Sequence, residues 1–141
     1  MCAGQAWSWI SYDKQPIASF PLNLIGHEMG FWVSEINIGA PKYWDEEFMK
    51  GITGIQRVNW WPSRVELKSD QARPLIRDEG LRVMAGTMPF EKGEIVLFGH
   101  DGLLQENPQI VKNTLLYLVG RNTTQAAKSE GKTMGGSSAG D

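Results

Sequence analysis

The chain has 141 residues and a net charge of −2, from 14 basic and 16 acidic side chains. That length holds one domain and excludes two catalytic ones, and the charge balance offers no general attraction to nucleic acid or to an anionic membrane. Hydrophobic residues make up 41% and charged residues 21%, which excludes disorder along the whole chain. A single cysteine makes neither an internal disulfide nor a cysteine-rich zinc site. With no signal-peptide pattern, a reducing cytoplasmic compartment is expected. No apolar run approaches the ~20 residues a membrane-spanning helix needs. The unusual counts are 16 Gly and 6 Trp, which suggest many tight turns and either a bulky core or an adhesive surface.

In chain order, Met1-Cys2-Ala3-Gly4 holds no strand long enough to start a sheet by itself. Gly4 suits a tight turn, because glycine accepts positive φ, and a helix is predicted over 5–12. Pro21 pre-sets a second helix, with Leu22, Ile25 and Met29 on one face and Gly30 at its end. Phe31-Trp32-Val33-Ser34 reads as a short buried strand. Residues 35–56 read as a long connection with an amphipathic helix over 43–49, and 57–61 as a strand stopped by Pro62. Arg64-Val65-Glu66-Leu67-Lys68 alternates as a half-exposed strand does. Residues 74–77 and 81–88 flank Asp78-Glu79-Gly80, a hairpin with a glycine at the turn.

The strongest pattern comes last. Ile95-Val96-Leu97-Phe98 is continuously apolar, as in a strand covered on both faces. Gly99-His100-Asp101-Gly102 is the loop at its carboxyl end, and Asn107-Pro108 opens a helix whose stripe is Ile110, Val111, Thr114, Leu115, Leu118 and Val119. Gly120 is predicted to end it. This strand–loop–helix unit is the building block of a parallel α/β sheet. Residues 121–141 are almost wholly polar and read as a disordered tail, leaving 1–120 as the folded unit.

Cys2, Gly4 and Gln5 fit an elbow, in which a nucleophile sits between a strand and a tight turn into a helix. His100 and Asp101 lie in another strand-to-helix loop, and such loops gather at one sheet edge. A Cys2–His100–Asp101 trio would use His100 as base and Asp101 to orient it, with backbone N–H groups near Gly4 and Gln5 as the oxyanion site. Against this, a cysteine is commonly just buried, and adjacent side chains in an extended segment point apart. His27-Glu28-Met29-Gly30-Phe31 begins like the zinc motif H-E-x-x-H but lacks its second histidine, so no metal is expected. Gly136-Ser137-Ser138-Ala139-Gly140 matches G-x-S-x-G without a strand before it. Trp7 and Trp9, two apart on a helix, face different ways, and Trp60 and Trp61 cannot both point inward from a strand. All four are candidates for an interaction surface. Nothing calls for a cofactor.

Gly4-Gln5-Ala6-Trp7-Ser8-Trp9, then Phe20-Pro21-Leu22-Asn23 and Gly30, resembles the TRP channel-associated factor (TCAF) family. The run from Lys92 through Phe98 to Gly99-His100-Asp101, and Asn113-Thr114-Leu115-Leu116-Tyr117-Leu118, resemble later motifs of that family in the same order. The resemblance covers about residues 2–120 and departs at Leu22, where the family has glycine. It implies a class I glutamine amidotransferase-like domain of flavodoxin-like α/β fold with an antiparallel, strand-rich insertion. In active amidotransferases the elbow reads C-x-G-H/Q, which Cys2-Ala3-Gly4-Gln5 matches; the later H-x-E does not match His100-Asp101-Gly102.

The family is regarded as non-enzymatic and binds TRPM-type cation channels. The resemblance thus implies a non-catalytic protein-interaction module, in the cytoplasm and peripheral to the plasma membrane. The alternatives are a Cys–His amidase, or a fragment without independent function. The family's domain begins before the elbow, so the first strands of the parallel sheet are expected to be missing. The strand over 95–98 would then lie at an incomplete edge open to self-association.

Overall fold

The computed structural model describes residues 1–55 and 61–133, with the side chains of Cys2 and of residues 121–133 outside the description. The chain is mixed α/β. Its main sheet has five strands in the order β1-β7-β6-β5-β3, where β1 is Cys2–Ala3, β3 Tyr43–Trp44, β5 Arg73–Arg77, β6 Val83–Phe90 and β7 Gly93–Phe98. Only β1 and β7 pair in parallel, with Cys2 opposite Leu97 and Ala3 opposite Phe98; the other three pairs are antiparallel. A two-stranded antiparallel sheet joins β2 (Phe31–Asn37) to β4 (Ser63–Leu67).

The side chains of β7 explain why the sheet has two covered faces. Val96 and Phe98 point into one apolar cluster, with Ile38, Phe48, Leu75, Ile76, Met84, Leu103 and Ile110. Ile95 and Leu97 point into another, with Ala6, Phe20, Phe31, Val33, Val65 and Met88. Burying each such side chain stabilises the fold by about 1.5–3 kcal/mol. The first cluster lies under α3 (Gly102–Gln105) and α4 (Pro108–Thr133), and the second under α1 (Ala6–Ser11), α2 (Pro21–Met29) and the small sheet. The strand expected at an incomplete edge is therefore interior, flanked by β1 and β6. The outer position falls to β1.

Helix α2 starts and stops where its residues dictate. Pro21 stands at its first turn, and Gly30 takes the left-handed conformation at φ 84° and returns its N–H to Gly26 O. Its inward face differs from the apolar reading. Asn23 and Gly26 are buried while Ile25 is 55% exposed. Gly26 is packed so closely on the Phe31 carbonyl that no Cβ fits. Asn23 is fully buried and joins helix to strand: Nδ2 donates to Val33 O (2.8 Å) and Ile17 O (3.1 Å), and Oδ1 accepts from Val33 N–H (2.7 Å).

Three further expectations are corrected. Residues 43–49 do not form a helix, because Tyr43 and Trp44 pair with Arg77 and Ile76 of β5. Asp45 then turns the chain by accepting Phe48 N–H at 2.8 Å, which drops Phe48 and Met49 into the core. In the hairpin between β5 and β6, positive φ falls on Leu81 (63°) and not on Gly80. A Cβ at Gly80 would make only ordinary contacts, 3.4 Å from Arg82 Nε and from Asp78 Oδ1, so neither φ nor space demands the glycine there. Helix α4 runs through Gly120 to Thr133. Its buried face is Ile110, Thr114, Tyr117 and Leu118 at helical spacing, leaving Leu115 and Val119 exposed. Residues 121–133, polar in composition and read as a tail, continue as helix; Gln125, Ala126, Ala127, Lys128 and Glu130 are ordinary helix formers. Residues 134–141 and the strand expected over 57–61 lie, in whole or in part, outside the described residues.

Candidate functional site

Because β1 and β7 are parallel neighbours, the loops that follow them leave the sheet at the same end. The first carries Gly4 and Gln5 into α1, and the second carries Gly99, His100 and Asp101 into α3. Gly4 is not at positive φ. It is glycine for lack of room, since a Cβ would meet Phe20 Cζ at 2.7 Å and Leu22 Cδ1 at 3.1 Å. Gly99 is held more tightly still. Its backbone lies against that of Ser63, its carbonyl accepts Ser63 N–H at 3.1 Å, and its N–H reaches Met84 O at 2.8 Å. Any side chain at Gly99 would collide with the Ser63 carbonyl, so β7 delivers His100 to one fixed place.

The two loops meet through Asp101. Gln5 Nε2 donates to Asp101 Oδ2 at 3.0 Å, and Gln105 Nε2 donates to the same oxygen at 2.9 Å. Gln5 Oε1 accepts from Ser8 Oγ at 3.2 Å, fixing which way its amide faces. Asp101 has helical angles, φ −69° and ψ −23°. The pair His100–Asp101 is therefore not extended, and Asp101 Oδ1 comes within 3.2 Å of His100 Nδ1. The objection that neighbouring side chains diverge is removed by this local turn.

The protons in this cluster are decided by one backbone contact. Gly102 N–H donates to His100 Nδ1 at 2.8 Å. A nitrogen that accepts an N–H carries no proton, so the neutral ring holds its proton on Nε2. Asp101 Oδ1 is correspondingly buried and has no hydrogen-bond partner. Burial lowers the His100 pKa from its usual 6.5, against the opposing pull of the Asp101 charge, so the neutral ring is favoured. The Cys2 side chain is outside the described residues; its backbone lies in β1, directly before Gly4.

The four tryptophans expected to form a surface do not share one environment. Trp7 is 44% exposed and stacks edge-on with Tyr12 at 5.1 Å. Trp9 is half-buried, packs on Phe20 and donates Nε1–H to Ser19 Oγ at 3.2 Å. Trp61 is exposed, and Trp60 is outside the described residues. His27 and Glu28 sit exposed near the end of α2. Among the described residues no three His, Cys, Asp or Glu side chains are placed to hold a metal ion, and no helix is long and apolar enough to cross a membrane.

Residue-by-residue reading missed two buried polar groups. Asn23 entered only as the last letter of the Phe20-Pro21-Leu22-Asn23 motif. Asp78 entered only as a turn residue; it is 1% exposed and bound by four donors. An Asp followed four residues later by Arg across a turn is the signal that could have found it. Comparison with family models, curated proteins and solved structures returns no match.

Proposed function

We propose that this chain is a non-catalytic protein-interaction module built on an amidotransferase-like, flavodoxin-like α/β scaffold, of the kind the TCAF resemblance implies. The observation that carries the reading is the Gly102 N–H bond to His100 Nδ1. It leaves the ring with a proton on Nε2, so neither ring nitrogen is ready to take a proton from a thiol. The elbow is used as architecture: Gln5 links the first turn to Asp101. The exposed Trp7–Tyr12 pair offers a rigid aromatic contact of the type that anchors protein interfaces. By resemblance the partner is the cytoplasmic part of a TRPM-type cation channel, at the inner face of the plasma membrane. The outer side of β1 is a second surface, suited to self-association.

One observation favours a Cys–His amidase instead. The unpartnered Asp101 Oδ1 lies where it could orient a His100 ring protonated at Nδ1. Reaction of the chain with iodoacetamide across pH separates the two readings. A module has Cys2 reacting no faster than a free cysteine, with an apparent pKa of about 8.5. A rate clearly above that, with a lowered pKa that returns to normal in His100→Asn, would overturn the module reading.

A further inference from the structure

Two hydrogen-bond acceptors face each other where the two loops meet. His100 Nδ1 accepts the Gly102 N–H at 2.8 Å, and Asp101 Oδ1 stands 3.2 Å from the same nitrogen. While the ring is neutral no proton lies between them, and Asp101 Oδ1 is buried without a hydrogen-bond partner. A buried acceptor left unsatisfied is costly, and native folds hold few. The surroundings of the pair are fixed. Gly99 is locked to Ser63 and Met84, and Asp101 Oδ2 is held by Gln5 of the elbow and Gln105 of α3. The conflict therefore sits at one nitrogen, which a single added proton turns from acceptor to donor.

Two hydrogen-bond patterns follow. With the ring neutral, Gly102 N–H is satisfied and Oδ1 is not. With the ring protonated, Nδ1–H donates to Oδ1 in a charge-assisted bond, and Gly102 N–H loses its acceptor. Each pattern strands a different group, which makes the turn a two-state element. Among the described residues, Asp101 supplies the charge that acts on the ring. The elbow brings neutral Gln5 and Ser8 to the cluster, β4 brings Ser63 to Gly99, and α3 brings neutral Gln105. Cys2, the titratable residue of β1, has its side chain outside the described residues. Burial opposes the charged ring, which puts the change on the acid side of the usual 6.5.

We propose that His100, Asp101 and Gly102 form a proton-operated switch: uptake of one proton by His100 turns Nδ1 from the Gly102 amide to the Asp101 carboxylate and loosens the first turn of α3. The switch rests on the same Gly102 contact as the proposed function, but it concerns what acid does to that contact and not whether Cys2 reacts.

The test is a pH titration of the full chain by NMR, following the His100 ring nitrogens, the Gly102 amide and the Gln5 side-chain amide. At about pH 8 the ring should carry its proton on Nε2. As the ring takes a second proton, the Gly102 amide proton should move upfield with the same midpoint. The Gln5 amide should follow, because the same carboxylate holds it. Asp101→Asn should lower the His100 midpoint by about one unit. His100→Asn should leave the Gly102 amide unmoved by acid, and Cys2→Ser should leave the midpoint unchanged. A Gly102 amide that stays still while His100 titrates would overturn the switch and leave the module reading intact. So would a midpoint indifferent to Asp101→Asn, a step that disappears with the thiol, or a ring that takes no second proton above about pH 5. A neutral ring protonated on Nδ1 would overturn the switch and the module reading together.

Discussion

Asp78 and Asp101 each tie two loops together at one end of the main sheet. Asp78 joins residues 39–42 to the 78–82 turn, and Asp101 joins the elbow to the start of α3. Asp78 is 1% exposed and both of its oxygens are occupied. Burial pushes its pKa up, but the Arg82 side chain and the amides of Gly39 and Arg82 outweigh that and hold the carboxyl below its usual 3.8. Asp101 is 30% exposed, draws two exposed glutamines to one oxygen and leaves the other buried without a partner. A saturated carboxylate acts as a fastener. A half-satisfied one leaves its loop free to exchange one hydrogen-bond pattern for another, since protonating His100 Nδ1 would give Oδ1 a donor and strip Gly102 N–H of its acceptor.

The contrast can be broken first at its strong end. Asp78→Ala removes the charge partner of Arg82 and leaves the amides of Gly39 and Arg82 without the acceptor of their part-buried hydrogen bonds. It should cost about 3 kcal/mol, read as a lower urea midpoint at unchanged slope. At the weak end, Asp101→Ala should cost about 1 kcal/mol or less, because Gln5 and Gln105 can turn to water. Equal losses in the two variants would dissolve the distinction.

Acid titration sharpens it further, with a smaller effect. His100 has a lowered pKa, so the unfolded chain binds that proton more readily. Its contribution to stability is full above about pH 6.5 and is lost as pH falls below that. Asp78 also has a lowered pKa, and its contribution is present above about pH 3.8 and lost below. Urea midpoints across pH should therefore decline in two steps. His100→Asn, whose amide oxygen can accept the Gly102 N–H, should remove the upper step and keep the lower. An upper step that survives the substitution would separate it from His100.

Much of the framework was legible because local chemistry decides it. Pro21 and Gly30 bracket α2, the 95–98 run reads as a strand covered on both faces, and alternation marks β4. What escaped depends on partners distant in sequence. Tyr43 and Trp44 are strand because β5 is there to pair with them. Ile25 and Leu115 are exposed because the cores choose Asn23 and Thr114 over them. The same division holds at the site. Convergence of the Gly4–Gln5 and His100–Asp101 loops follows from the strand–loop–helix pattern. The proton positions do not, because they turn on the helical angles of Asp101 and on one amide of Gly102.

The shortness of β1 has a consequence for how the molecule assembles. Cys2 and Ala3 pair with Leu97 and Phe98, across a loop of about 95 residues. That pairing offers few backbone hydrogen bonds in return, so it is expected to form late in folding and to open first in the native state. Amide exchange should find the elbow strand unprotected while β6 and β7 remain closed. The meeting of the two loops would then be a separate, low-energy equilibrium on top of a fold that persists without it.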